Sequence, residues 1–362
     1  MTKLKLILSA SALVLGAAAA SAEEVRVYNW SDYIDEELLT KFEEETGIKL
    51  IYDVFDSNEV LETKMLAGSS GYDVVVPTGT FLSRQIQAGV FQKLDVSKLE
   101  NTGNMWDVIA QRTATYDPDN AYSINYMWGT TGIGANVGKV QEVLGADAPL
   151  GSLALVFDPA NAEKLASCGI YVLDAPTELI PAALAYAGLD PDRKDKEALA
   201  KAEEIITAIR PHIQKFHSSE YINALANGDI CVAIGWSGDV LQARDRAAEA
   251  DNGVEIAYNA PSEGALMWFD QMAVPADAPN PEGAHKFLNF IMDAQNMAAA
   301  SYYVYYANGN LASQEFLVED VIGDTAIYPD ETALNSLYTV TSWGPKEQRS
   351  LTRLWTKIKS GT

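Results

Sequence analysis

The sequence predicts an α/β protein of two lobes, each a central β-sheet flanked by helices, with a hinge and a ligand cleft between them. Three observations carry this. Strand-like and helix-like segments alternate from residue 24 to about 90, which is the order of a parallel sheet with crossover helices. The same alternation returns between about 168 and 250. Behind a leader of 22 residues, 340 remain, more than one hydrophobic core comfortably organises.

At the N-terminus, MTKLKLILSASALVLGAAAASA carries Lys3 and Lys5, then an apolar run, then Ala20-Ser21-Ala22. That is the pattern of a signal peptide cleaved after Ala22, and its apolar core is too short and too rich in small residues for an anchor. EVRVYNW reads as a strand, with a helix from about Asp35. IKLIYDVF is the next strand, NEVLETKMLAG a helix, and YDVVVP a strand apolar enough to be covered on both faces. TFLSRQIQAG is helical. CGIYVLDA and DICVAIGW are strands flanking helical 177–209 and 218–227. Within that region PDRKDKEALAKAEEIITAIR is a solvated surface helix with an apolar stripe at Leu199, Ile205 and Ile206. VEIAYNAP and LMWFDQMAVP are strands, with a single helix PEGAHKFLNFIMDAQNMAA after them. Crossings between the lobes are expected at GTTGIGANV (129–137), at VEIAYNAP (254–261), and between Asn308 and Pro329. One lobe then comprises 23–130 with about 258–315, the other about 131–257 with about 316–362, joined as a hinge.

Composition excludes several functions. Without Lys3 and Lys5 the 26 basic residues become 24 against 50 acidic ones, a formal charge of −26. Such a chain repels nucleic acid and anionic membrane and draws cations, although acidity also serves solubility alone. Cys168 and Cys231, outside any C-x-x-C, read as one disulfide in an oxidising compartment, with two buried thiols as the alternative. No catalytic set assembles. Gly235-Trp236-Ser237-Gly238 lacks the final glycine of a nucleophile elbow, where Asp239 stands. His212, His217 and His285 do not have metal-ligand spacing, GTTGIG is no dinucleotide fingerprint, and DPDNAY is no calcium loop. No cofactor is expected.

Ligands of open parallel sheets bind beyond the carboxyl ends of the strands, and the unusual residues of this chain fall there. EVRVYN runs into Trp30-Ser31-Asp32-Tyr33, YDVVVP into Thr78, CGIYVLDA into Glu178, and DICVAIG into Trp236-Ser237-Gly238-Asp239. LMWFDQMAV places Trp268 and Asp270 on one face at i and i+2. Carboxylates give an ammonium group charge-assisted hydrogen bonds, and indoles add cation–π attraction of roughly 2 kcal/mol when desolvated. Each residue also has a plainer use. Asp32 or Asp35 could cap the helix that follows, whose first turn is acidic, Asp239 could cap the helix VLQARDRAAEA, and Trp30, Trp236 and Trp268 could be core. Asp270 is harder to dismiss, since an unpaired carboxylate in an apolar strand is costly.

The stretches YNWSDYI, TGIKLIYDVFDSNEVLETKMLAGSSGYDVVVPT, YMWGTTGIG, SCGIYVLDAP, FHSSEYINALANGDICVAIGWSGDV and RLWTKIKSG span nearly the whole chain after the leader. Together they resemble the periplasmic polyamine-binding proteins of ABC importers, and the putrescine-binding branch in particular. The resemblance implies a type II periplasmic binding protein fold, a polyamine ligand, an inner-membrane ABC permease as partner, and a monomer without metal. It implies ligand contacts at Trp30, Ser31, Asp32, Tyr33, Thr78, Glu178, Trp236, Asp239, Trp268, Asp270 and Tyr306, and a Cys168–Cys231 pair. Trp268 and Asp239 look more like the spermidine-preferring branch, whereas Asp32 is the shorter acid of diamine binders. Overall similarity leans to putrescine. The alternatives are another small solute on the same scaffold, a polyamine-sensing receptor without transport, and an exported hydrolase.

Overall fold

The computed structural model describes residues 23–361; the expected signal peptide, residues 1–22, lies outside the described residues. Ten strands form one continuous sheet. They are β1 (Glu24–Trp30), β2 (Lys49–Phe55), β3 (Val74–Val75), β4 (Ser123–Asn136), β5 (Ile170–Val172), β6 (Lys215–Phe216), β7 (Val232–Trp236), β8 (Ile256–Asn259), β9 (Leu266–Ala273) and β10 (Ala307–Asn308). Their order is β2-β1-β3-β9-β4-β7-β5-β6, with β8 and β10 also paired to β4.

At one end β1 pairs in parallel with β2 and β3; at the other, β5 pairs in parallel with β6 and β7. The antiparallel strands β9 and β4 join these ends. The 14-residue β4 is buried along its whole length. Its Ser123–Thr131 part pairs with β9 and its Thr131–Ala135 part with β7, so one strand belongs to both halves. The expected crossing at 129–137 falls on this strand. The expected return at 254–261 contains β8, which pairs antiparallel to the end of β4.

Two large apolar clusters flank this shared strand. One gathers Val25, Phe42, Val74, Met127, Met272 and Phe287; the other gathers Ile133, Leu155, Ile206, Ile234, Val240 and Leu351. A third, smaller cluster joins Ile109, Tyr116 and Phe269 to Leu241, Val321 and Ile327. The Cys168–Cys231 disulfide is present, with Cα atoms 5.5 Å apart, and ties the turn before β5 to the start of β7.

Several elements differ in detail from the sequence expectation. YDVVVP contributes only Val74–Val75 to the ladder, because Pro77 has no N–H to donate. The chain nevertheless stays beside β9: Gln271 N donates to Pro77 O, and Thr78 bridges to Asp270. The expected helix over 281–299 is two, Pro281–Ile291 and Ala294–Val304, because the Asp293 carboxylate caps the second through the N–H groups of Gln295 and Asn296. Likewise 177–209 divides into Pro176–Tyr186 and Lys196–Ile209, with Asp195 as the second cap. On that second helix Ile205 and Ile206 are buried and Leu199 half-buried, as its stripe predicts.

Candidate functional site

The carboxyl ends of β1, β2 and β7, together with the chain just past β3 and β5, converge on a cleft open to solvent, with about 510 Å³ of space between its walls and mouth. Trp30, Ser31, Tyr33, Thr78, Glu178, Trp236, Asp239, Trp268, Asp270 and Tyr306 all line it. The chain topology explains the convergence, since parallel strands end on the same side of their sheet.

The walls are aromatic. Trp30 meets Trp236 edge to face with ring centroids 5.6 Å apart, one indole from each end of the sheet. Tyr306 packs against Trp268 at 5.1 Å and against Tyr33 at 5.5 Å. The Trp30 indole is fixed by a 2.9 Å hydrogen bond from Nε1 to Val76 O. Two glycines make the ring contacts sterically possible. A Cβ at Gly238 would lie 2.5 Å from the Tyr306 ring, and one at Gly129 would lie 2.8 Å from both Trp268 and Tyr306.

Three enclosed acids share the cleft, each held by hydroxyl donors. The Asp270 carboxylate is buried and accepts from Thr78 Oγ1 at 2.6 Å and Tyr33 OH at 2.8 Å. Asn58 Nδ2 donates to Thr78 Oγ1 at 2.9 Å and so aims that hydroxyl. Burial, then the nearby Asp239 charge, pushes Asp270 up to about 7 against the pull of its two hydroxyls. Glu178 accepts from Thr131 Oγ1 at 2.5 Å, and burial with the charges of Asp270 and Glu59 pushes it up to about 7. Asp239 accepts from Tyr221 OH at 2.7 Å and Tyr306 OH at 2.8 Å; burial pushes it up to about 6. Asp239 lies in the first turn of the helix Ser237–Glu249 but makes no capping hydrogen bond, so its plainer use does not apply.

Among the described residues no Lys, Arg or His lines the cleft. The acids are desolvated and repel one another, and Arg246, whose charge reaches Asp239, stands outside the lining. Such a site is built to be completed by a cation.

Asp32 is the exception among the expected residues. It does not line the cleft. Its backbone takes φ 53°, which turns the chain so that Tyr33 points inward while Asp32 stays exposed. Its carboxylate instead pairs with Arg246 at 3.2 Å. Nor does Asp32 cap the next helix; Asp35 does, accepting from Glu37 N at 2.9 Å. The capping reading of Asp32 is thus corrected in favour of Asp35, and one left-handed residue keeps the Asp32 side chain outside the cleft lining in this arrangement.

Sequence reasoning missed Phe55, Asp56, Asn58, Ser218, Ser219 and Ile222, which also line the cleft. The strand-end rule, applied to IKLIYDVF as it was to EVRVYN, points to Asp56 and Asn58. Ser218 comes after a two-residue strand with no pattern of its own.

Comparison with known proteins gives the same class. The family of bacterial extracellular solute-binding proteins matches residues 37–328. This chain is a bacterial extracellular solute-binding protein. It is 51% identical over 99% of its length to the putrescine-binding periplasmic protein SpuD of Pseudomonas aeruginosa, covering 98% of that chain. It is 49% identical over 97% of its length to the putrescine-binding periplasmic protein PotF of Escherichia coli, covering 95% of it. Among solved structures, the spermidine/putrescine ABC transporter substrate-binding protein PotD of Streptococcus pneumoniae superposes with a TM-score of 0.73 at 28% identity, covering 94% of this chain and 99% of that one. The solute-binding protein thus has the two-lobed fold of periplasmic binding proteins and works in the periplasm. Among its described residues no helix is long and apolar enough to cross a membrane.

Proposed function

We propose that this solute-binding protein captures a linear polyamine of the putrescine or spermidine class in the cleft and delivers it to the permease of an inner-membrane ABC importer. The observation that carries the reading is the set of Asp270, Glu178 and Asp239 beside aromatic rings, with no basic side chain among the described residues that line the cleft. An amino acid or peptide ligand would need a cation for its carboxylate, and among the described residues none lines the cleft. A linear polyamine supplies ammonium groups to the acids and methylenes to Trp30, Trp236, Trp268 and Tyr306. The names of SpuD, PotF and PotD support the same class.

In this reading one ammonium group sits at Asp270, steadied by Tyr33 and Thr78, and another pairs with Glu178 or Asp239. The lobes are 23–130 with about 258–315 and about 131–257 with about 316–362; β4 and β8 serve as the hinge. Ligand contacts from both lobes favour the closed arrangement, which presents both lobes at once to the permease. The protein acts as a monomer and catalyses nothing.

A thermal-shift panel with putrescine, cadaverine, spermidine and spermine tests this, with amino acids as controls. A rise in Tm with at least one polyamine and none with amino acids supports the reading. No shift with any polyamine, confirmed by calorimetry, overturns it.

A further inference from the structure

We propose that the outer end of the cleft is a subsite for a third protonated amine, formed by Asp56 and Ser218. The proposal rests on the polyamine reading and extends it to the ligand's length. Asp270 and Glu178 are buried and Asp239 half-buried, whereas Asp56 is exposed, so Asp56 marks the mouth. Its Oδ1 accepts from Ser31 Oγ at 2.5 Å, and Ser31 N is anchored to Phe55 O at 3.1 Å. The carboxylate is thereby oriented with its second oxygen unengaged. Among the described residues it has no cationic partner.

Ser218 supplies the independent observation. It is 6% exposed, lines the same cleft, and its hydroxyl has no hydrogen-bond partner. The loop that carries it is fixed, because His217 Nδ1 accepts from Ser219 N at 3.2 Å and Glu220 N at 3.1 Å. A buried, unpartnered hydroxyl on a fixed loop costs stability unless something donates to it or accepts from it. An ammonium group donates N–H bonds to both the Ser218 oxygen and the Asp56 carboxylate.

Charge balance points the same way. A diamine brings two positive charges to a cleft with three enclosed carboxylates and a fourth at its mouth. A triamine running outward from Asp270 brings its third ammonium to the mouth, where Asp56 stands, while the buried Ser218 belongs to another segment of the same lining. The ligand class this favours is a linear triamine over a four-carbon diamine.

Isothermal calorimetry on the full mature chain tests this with putrescine and spermidine against wild type, Asp56→Asn and Ser218→Ala. Asp56→Asn is expected to lower the spermidine affinity about tenfold more than the putrescine affinity, the loss of roughly one charged hydrogen bond. Ser218→Ala is expected to shift the same ratio about threefold, as for roughly one weaker bond. Equal changes for both ligands in both variants, or no change, overturn the subsite while leaving the polyamine reading intact. A wild type that binds neither ligand overturns both.

Discussion

Arg246 Nη2 lies 3.2 Å from Asp32 Oδ1 and ties the turn after β1 to the helix after β7, outside the cleft lining. Both side chains are a third or more exposed. The pair joins segments assigned to the two proposed lobes, yet solvent screens it. Asp32→Asn is therefore expected to cost about 1 kcal/mol or less, no more than about fivefold in polyamine affinity. The loss should fade between low and high salt. A tenfold or larger loss that persists at high salt would return Asp32 to the ligand's first contacts.

Asp270 is expected to behave in the opposite way. Asp270→Asn keeps the shape but removes the charge; its Oδ1 still accepts from one of the Thr78 and Tyr33 hydroxyls and its NH2 donates to the oxygen of the other. A charged hydrogen bond is worth about 1.5–3 kcal/mol, so polyamine affinity should fall by at least about tenfold. The empty protein should gain stability, because a desolvated carboxyl is replaced by a neutral group. Calorimetry and thermal melts of the same variant read the two signs. Unchanged affinity with the fold intact would remove Asp270 from the ligand site.

The raised acids give a pH dependence with a defined sign. Asp270 and Glu178 are pushed up to about 7 and Asp239 to about 6, from ordinary values near 4. Between these limits the folded empty protein holds protons that the unfolded chain has released. Its stability is thus full below about pH 4 as far as these groups go, and falls as pH rises toward 7. The ligand's amines stay protonated throughout this window, as lysine does. They bind the ionised acids, so affinity should rise from about pH 5.5 to 8 and then level off, with protons released on binding near pH 6.5. Calorimetry in buffers of different ionisation enthalpy measures that release. A flat affinity profile and no proton release would mean that the acids are already ionised in the empty cleft.

The disulfide is expected to act on stability rather than on the ligand. Cys168 and Cys231 are 63 residues apart in sequence and lie away from the cleft lining. A Cys168→Ala, Cys231→Ala double variant should lose about 2–4 kcal/mol of stability. Its polyamine affinity should stay within about twofold. Chemical denaturation and calorimetry check the two halves of the statement; a large affinity loss at full stability would contradict it.

Much of the site was legible because strand ends are legible. EVRVYNW announces its strand by apolar–polar alternation and DICVAIGW by an apolar run, and the residues just beyond them face the cleft if the strands are parallel. Asp270 stood out because a carboxylate amid Leu266–Ala273 conflicts with its surroundings. The illegible remainder depends on single dihedrals or tertiary contacts. Nothing local marks Asp32 as the left-handed residue that turns its own side chain out and the next one in. The capping breaks at Asp195 and Asp293 use residues that also occur inside helices, so long apolar stretches read as unbroken. Ser218 reaches the cleft only because β6, β5 and β7 are neighbours in space.

Gly238 provides a test of the aromatic wall that substitutes none of the acids. It opens the helix that carries Asp239, and a Cβ there would meet Tyr306 Cδ2 and Cε2 at 2.5 Å and Val304 O at 2.6 Å. No real side chain tolerates that distance, so Gly238→Ala must displace the Tyr306 ring or the helix start. Tyr306 OH donates to Asp239 at 2.8 Å, and its ring touches Trp268 and Tyr33. Moving the ring therefore loosens the carboxylate and opens the wall together. Overpacking of this kind costs about 1–3 kcal/mol of stability, and polyamine affinity should fall by at least about tenfold, which is roughly 1.4 kcal/mol. Tyr306→Phe separates the two contributions, because it keeps the ring and removes only the hydroxyl, with the bond it donates to Asp239 Oδ1 and the one it accepts from Asp239 N; its loss should be smaller than that of Gly238→Ala. An equal or larger loss from Tyr306→Phe would place the affinity in the hydroxyl and not in the packed ring.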